Sequence, residues 1–268
     1  MRYHVLHIET HFAEEWQKDL FEQQLFDLGV DTIDGNDYYI PSEVLEVNLS
    51  TINDFLSTFN FQFSIANCPD ENWYATWEAE HPMQELPLGI RIIPHCAFGA
   101  GHHETTSMMI EQLINYQSQI TKYQSFRVLD HGTGTGVLAI FAKRLGAHYV
   151  LAIDIDEKSV ANAKENAELN DVEIDVLQGD TIPLPFREGT GVGFFNLILA
   201  NIHRNILLAH MHAYAECLAP NGELWLSGFY ASDVQALQEA AEREGLTLIE
   251  VRANGEWQWM RCRKMELR

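Results

Sequence analysis

The residues with the clearest chemical potential lie in VLDHGTGTGVLAI, residues 128–140. An apolar run ends in Asp130, turns through Gly132, Gly134 and Gly136, and passes into a helix-like pattern. Glycine lets the backbone approach a ligand closely and adopts φ values that other residues resist. A helix start adds unpaired N–H groups and the positive end of a dipole. Strand, glycine turn and helix together predict a nucleotide-binding corner. Dinucleotide folds require G-x-G-x-x-G with a small third residue. Val137 stands at that third position, so the NAD fingerprint fails. The chain also contains no G-K-[ST] of a phosphate-binding loop.

A carboxylate about 20 residues past the glycines, at a strand's carboxyl end, can accept both hydroxyls of a ribose. The strand YVLAID places Asp154 there. Asp156, two residues on, reads as the N-cap of EKSVANAKENAEL. IDVLQGD places Asp180 after a third strand. FFNLILAN is an apolar strand ending at Asn201. That position lies where open α/β sheets bind ligands. An amide oxygen there can accept a hydrogen bond from an amine and orient its lone pair. Each of these residues also has a plain alternative. The alternative for Asp154 is a helix-entry acid, for Asp180 a loop acid, and for Asn201 the cap of the helix that follows.

These side chains need a scaffold that brings strand ends together. The 268 residues suffice for one large domain, or for a small one beside a medium one. Residues 1–66 read as a small α+β unit. RYHVLHIE is strand-like, and FAEEWQKDLFEQQLFDL has helical apolar spacing that stops at Gly29. VDTIDGNDYYI reads as strand with a turn at Asp34–Gly35. STINDFLSTF reads as a short helix capped by Ser50, and FQFSI as an alternating strand. This order predicts a ferredoxin-like sandwich with no catalytic residues. Its expected role is substrate recognition, set against that of a structural appendage.

Residues 67–93 read as a linker, with Trp73 and Trp77 on one helix face and Pro82 and Pro87 as stiffeners. Residues 94–268 alternate strand and helix, which predicts a parallel sheet covered on both faces. RNILLAHMHAYAECLA and SDVQALQEAAEREG are its later helices, and Pro220–Asn221–Gly222 turns into ELWLSG. LTLIEVRA and EWQWMRCRK, joined by Asn254–Gly255, predict a terminal hairpin with a type I′ turn.

Composition narrows the partners. A net charge of −22 and a pI near 4.8 argue against a direct nucleic-acid groove. The four cysteines, Cys68, Cys96, Cys217 and Cys262, are scattered without a CxxC. They suit a reducing, cytoplasmic setting rather than a disulfide framework or a zinc site. His95, His102 and His103 cluster, but no acids or cysteines stand at ligand spacing, so no metal is expected. MRYHVLHIETHF is too polar for a signal peptide, and no apolar run reaches the length of a membrane span.

D-x-G-x-G-x-G resembles motif I of the class I S-adenosylmethionine-dependent methyltransferases. PHCAFGAGHHETT, residues 94–106, resembles the A-F-G-T-G-x-H-x-T-T segment of the ribosomal protein L-11 methyltransferase family, PrmA. LDHGTGTGVLAIFAKRLGA, AIDIDEKSVANAKENAELN, LILANI and the run from LSGFYASDVQ to WMRCRK are similar to that family's later segments, covering most of residues 94–264. The resemblance implies a Rossmann-like seven-stranded sheet with an antiparallel C-terminal hairpin, beside the small N-terminal domain. It implies S-adenosylmethionine held through Thr106, Gly132, Gly134, Gly136, Asp154, Asp180 and Asn201, with Asp180 near the adenine. It also implies transfer of methyl groups to lysine or N-terminal amines of ribosomal protein L-11. Phe98 and Gly99 belong to the same loop. The chain departs from the family at Ala100, Glu104, Thr133 and Thr135. Of an N-P-P-Y tetrad, only the first residue of Asn201–Ile202–His203–Arg204 is present. Trp225, Phe229 and Tyr230 are candidates for an apolar wall around a methylated ammonium. For Trp225, core packing is the preferred reading. Other substrates, protein or small molecule, and a non-catalytic cofactor-binding protein remain open at this point.

Overall fold

The computed structural model describes residues 3–12, 15–30, 32–34, 36–59, 61–67, 83–95, 104–182 and 194–265. The chain divides into two compact units, Met1–Thr76 and Trp77–Arg268. Trp73, Trp77, Phe98, Gly99, Ala100 and Gly101 lie outside the described residues, as do Cys68 and Cys96. No helix among the described residues is long and apolar enough to cross a membrane.

The small unit runs β1 (Tyr3–Glu9), α1 (Glu15–Asp27), β2 (Thr32–Asp34), β3 (Asp37–Pro41), α2 (Ser42–Phe59) and β4 (Gln62–Asn67). Its sheet order, β2-β3-β1-β4, is that of a ferredoxin-like sandwich. Leu6 and Ile8 alternate onto the covered face of β1 and meet Phe21, Leu25, Ile52 and Leu56 from the helices. After α1, Gly29 takes φ +96, with Gly29 N–H on Phe26 O and Val30 N–H on Leu25 O. This is the paired-bond ending that glycine favours. Helix α2 begins at Ser42, eight positions before the expected Ser50 cap. Leu45, Ile52 and Leu56 keep one buried stripe through that position, and Ser50 lies on the exposed side.

The large unit opens with a small hairpin, β5 (Gln84–Leu86) and β6 (Ile90–Ile92). Leu86, Ile90 and Ile92 are buried in the main core, so this part of the expected linker packs as structure. Then follow α3 (Glu104–Ile120), β7 (Arg127–His131), α4 (Val137–Arg144), β8 (Tyr149–Asp154), α5 (Glu157–Leu169), β9 (Asp175–Gln178) and β10 (Phe195–Asn201). The chain ends with α6 (Arg204–Cys217), β11 (Leu218–Tyr230), α7 (Val234–Arg243), β12 (Leu246–Asn254) and β13 (Trp257–Lys264).

The seven-stranded sheet has the order β12-β13-β11-β10-β7-β8-β9. Pairing is parallel from β11 through β9, and β13 runs antiparallel to both β11 and β12. Strands covered on both faces read as continuous apolar runs. In β10, Leu197 and Leu199 enter the core shared with α3 and α4, while Ile198 and Ala200 enter the core shared with α6 and α7. Strand order reverses between β7 and β10, which creates a crevice at their carboxyl ends.

The terminal hairpin forms one residue later than expected. Asn254 pairs with Trp257, leaving Gly255 and Glu256 as the loop. Gly255 has φ +60 and Glu256 is not left-handed, the pattern of a II′ rather than a I′ turn. An irregularity between Leu248 and Glu250 shifts the pairing along β12.

Candidate functional site

Gly132, Gly134 and Gly136 all adopt left-handed φ, at +73, +53 and +80. The turn is stitched to the end of β8. Gly132 and Thr133 N–H both donate to Ile153 O at 2.8 and 3.0 Å. Gly134 N–H donates to Asp154 Oδ2 at 2.8 Å, and Gly136 N–H to Thr133 O at 2.9 Å. These four amides therefore do not face a ligand, and the turn is not the open amide cradle that its sequence suggests.

The outer glycines make room for neighbours. A Cβ on Gly132 would lie 2.2 Å from Ile202 Cγ2, which brings the segment after β10 against the turn. A Cβ on Gly136 would lie 3.1 Å from Ala163 Cα, so this glycine lets α4 pack on α5. Gly136→Ala is expected to lose about 1–3 kcal/mol from backbone strain alone, with a contact penalty in addition. Urea unfolding of the variant checks this. Unchanged stability would show that the turn relaxes freely.

Asp130 lies beneath the turn, 1 % exposed. Its Oδ2 accepts from Thr133 Oγ1 at 2.6 Å and from Ala139 N–H at 3.2 Å. Burial pushes its carboxyl up to about 7, against the pull of those two donors. The next residue, His131, is also buried and contacts Tyr214 Oη through Nδ1 at 2.7 Å. Burial lowers its imidazole to about 4, with His210, whose ring lies 4.8 Å away, adding to the shift.

These two shifts oppose each other in the stability profile. A raised carboxyl keeps its proton in the fold after the unfolded chain has lost it, so stability falls as pH rises from about 4 to about 7. A depressed imidazole makes stability rise with pH between about 4 and 6.5. Asp130→Asn keeps an acceptor for Thr133 and removes the first slope. Melting curves from pH 5 to 7 are expected to show the variant gaining on the parent by about 1.4 kcal/mol per pH unit. Parallel curves would show that Asp130 is ionised throughout.

Asp154 is half-buried at the end of β8. Its Oδ2 takes Gly134 N–H, and its Oδ1 takes Asp156 N–H at 3.0 Å. Burial raises its carboxyl despite these donors. Each oxygen has further lone pairs to offer a hydroxyl. Asp156 caps α5, accepting from Ser159 N–H at 2.8 Å. Asp180 is exposed beyond β9, with its side chain on Thr181 Oγ1 and its carbonyl 2.9 Å from His210 Nε2.

Asn201 ends β10, where its neighbour Ala200 pairs with His131. It is 7 % exposed. Its Nδ2 donates to Thr106 Oγ1 at 3.2 Å, and its buried Oδ1 has no partner among the described residues. A buried acceptor without a donor is costly. The cap of α6 is His203, so Asn201 is not that helix's cap. Helix α3 begins at Glu104, so Thr105 and Thr106 lie in its first turn. Thr106 is fully buried and fixes the Asn201 amide.

Sequence reasoning missed Gly228. It has φ +89, and its Cβ would lie 2.7 Å from Ile202 O, so it lets β11 close against Asn201–Ile202. The Ser227–Gly228 pair after an apolar strand was the available signal. The expected apolar wall needs correction. Trp225 and Phe229 are each 1 % exposed in the core. Tyr230 is half-buried and stacks on Trp257 at 4.5 Å. Among the described residues there is no group of three or more His, Cys, Asp or Glu able to hold a metal.

A model of the family described as ribosomal protein L11 methyltransferase (PrmA) matches residues 72–265. A ribosomal protein L11 methyltransferase of Porphyromonas gingivalis is 38 % identical over 97 % of this chain and 95 % of its own length. One from Thermotoga neapolitana is 30 % identical over 91 % of this chain and 92 % of its own. The crystal structure of a ribosomal protein L11 methylase from Lactobacillus delbrueckii subsp. bulgaricus superposes with a TM-score of 0.57 at 29 % identity. That superposition covers 66 % of this chain and 86 % of that one. With the switch-point crevice, the left-handed glycine turn and the Thr106–Asn201 pair in place, the chain belongs to the ribosomal protein L11 methyltransferase family.

Proposed function

We propose that this protein transfers methyl groups from S-adenosylmethionine to amines of ribosomal protein L11, on lysine side chains, the N-terminal α-amine, or both. The observation that carries this reading is the buried Asn201 Oδ1 beside the glycine turn, left without a donor among the described residues. The cofactor fits these residues. The turn spends its Gly132, Thr133, Gly134 and Gly136 amides internally and sets the Asp154 carboxylate beside Gly134. This suits a nucleoside with a free ribose diol and no phosphate. Asp154 accepts from the ribose, Asp180 borders the adenine, and Thr106, Gly132, Gly134, Gly136 and Asn201 line the methionyl side.

When bound, S-adenosylmethionine supplies an electrophilic methyl group. The protein contributes alignment and exclusion of water, which is worth several kcal/mol in a displacement between two bound groups. Thr106 Oγ1 holds the Asn201 Nδ2, so Oδ1 is the atom turned to the amine. Oδ1 accepts one amine N–H and aims the nitrogen lone pair. An α-amine, with a reference pKa of about 7.7–8.0, is partly neutral near pH 7. A lysine near 10.4 must lose its proton, and a desolvated site favours that loss.

The unit at residues 1–66 selects the protein substrate, residues 94–268 carry the chemistry, and the protein acts in the cytoplasm. Its acidic surface, at net −22, suits a basic partner. The test is transfer of labelled methyl groups into a mixture of undermethylated ribosomal proteins resolved by electrophoresis. Label confined to L11 supports the assignment. Label in another band, or only in small molecules, moves the substrate elsewhere.

A further inference from the structure

Asn162 and Asn166 of α5 and Asn170, its C-cap, recur every four residues and are buried. Their side-chain amides face the backbone of the β6 segment. Asn170 Oδ1 accepts Arg91 N–H at 2.8 Å, and its Nδ2 donates to Arg91 O at 2.6 Å. One turn earlier, Asn166 Oδ1 accepts Ile93 N–H at 2.8 Å, and its Nδ2 donates to Ile93 O at 3.0 Å. Asn162 Nδ2 also donates to Ile93 O, at 2.8 Å. The fit is geometric. Four residues of helix rise about 6 Å, and two residues of strand about 6.6 Å. The helix face therefore presents side-chain amides at nearly the spacing of a neighbouring strand.

Asn166 does one thing that Asn170 does not. Its Nδ2 also donates to Thr135 O, inside the glycine turn, at 3.0 Å. The Thr135–Gly136 peptide is thereby held from both sides, because Gly136 N–H donates to Thr133 O. The corresponding third bond of Asn170 goes to Asn166 O within the same helix, at 2.7 Å. We propose that Asn166 is a positioning residue for cofactor binding, clamping the glycine turn, α5 and the Ile93 segment into one register. The proposal rests on the methyltransferase reading above, since it assigns the turn to S-adenosylmethionine.

The two asparagines supply a matched test, because each makes three hydrogen bonds and only Asn166 reaches the turn. Asn166→Ala and Asn170→Ala in the full chain are compared for melting temperature, S-adenosylmethionine affinity by calorimetry, and KM and kcat. The expected result is a similar loss of melting temperature in both. Cofactor affinity falls about tenfold or more in Asn166→Ala and by less than about threefold in Asn170→Ala. KM for the cofactor rises in step, while kcat at saturation changes less. Equal affinities in the two variants overturn the proposal and leave a purely structural ladder. A parent protein that binds no S-adenosylmethionine overturns the methyltransferase reading itself. If Asn166→Ala does not fold, Asn166→Asp replaces it. That variant keeps the acceptor for Ile93 N–H and loses the donors to Ile93 O and Thr135 O, so it is compared with Asn170→Asp, which likewise loses two donors, and the same outcomes decide.

Discussion

Asn201→Ala is expected to lower methyl transfer by about a hundredfold or more, with a smaller loss of cofactor affinity. Alanine removes a buried acceptor at the end of β10 that has no donor among the described residues. It also frees the Thr106 hydroxyl, which is fully buried and holds the amide. The fold should survive, because Asn201 caps no helix and its amide makes a single long side-chain bond. Asn201→Asp separates positioning from charge. A carboxylate there binds the protonated amine and holds it in the unreactive form. Its rate is therefore expected to be low at neutral pH and to recover as pH rises. An aspartate variant with an unchanged pH profile would contradict the role given to the neutral amide. The measurement is initial rate against pH at saturating cofactor for parent and both variants.

The second large effect is expected at Asp154. Asp154→Ala should weaken S-adenosylmethionine binding by about a hundredfold, through loss of the ribose acceptor and release of the glycine turn. The turn is involved because Gly134 N–H ends on this carboxylate. Asp154→Asn is not a mild change here. Both carboxylate oxygens receive a backbone N–H, one from Gly134 and one from Asp156. An amide offers one oxygen and sets its own NH2 against the second donor. Its affinity is expected to lie close to that of the alanine variant. Calorimetric titration of parent, Asp154→Ala and Asp154→Asn decides. Near-parental binding by the asparagine variant would show that Asp154 meets the cofactor without bracing the turn.

Much of the large unit was legible because its signals are local. A strand buried on both faces is a short apolar run. Gly132, Gly134 and Gly136 declare the turn, and Asp154 and Asn201 fall at strand ends fixed by periodicity. What stayed hidden depends on distant chain. The turn's amides look available in sequence, and their use by Ile153 and Asp154 follows from how β8 lies beside β7. Asn166 reads as an ordinary helix residue, since its partner Ile93 is 73 residues away. Gly228 matters because β11 pairs beside Asn201, which no local pattern reports. In the small unit, Ser50 is a good cap by type, yet α2 runs through it because the buried stripe does not break there. At the terminal hairpin, Asn254–Gly255 marks the right turn but not its register, since Asn254 itself pairs with Trp257 and the loop is Gly255–Glu256.

The most direct measurement is the intact mass of purified, unmethylated ribosomal protein L11 after incubation with this protein and S-adenosylmethionine, with Asn201→Ala in parallel. Mass increments of one methylene each with the parent, and none or few with the variant, are the predicted result. An unchanged mass with a parent that binds the cofactor would contradict the assignment of L11 as substrate. Equal increments from parent and variant would contradict the role of Asn201.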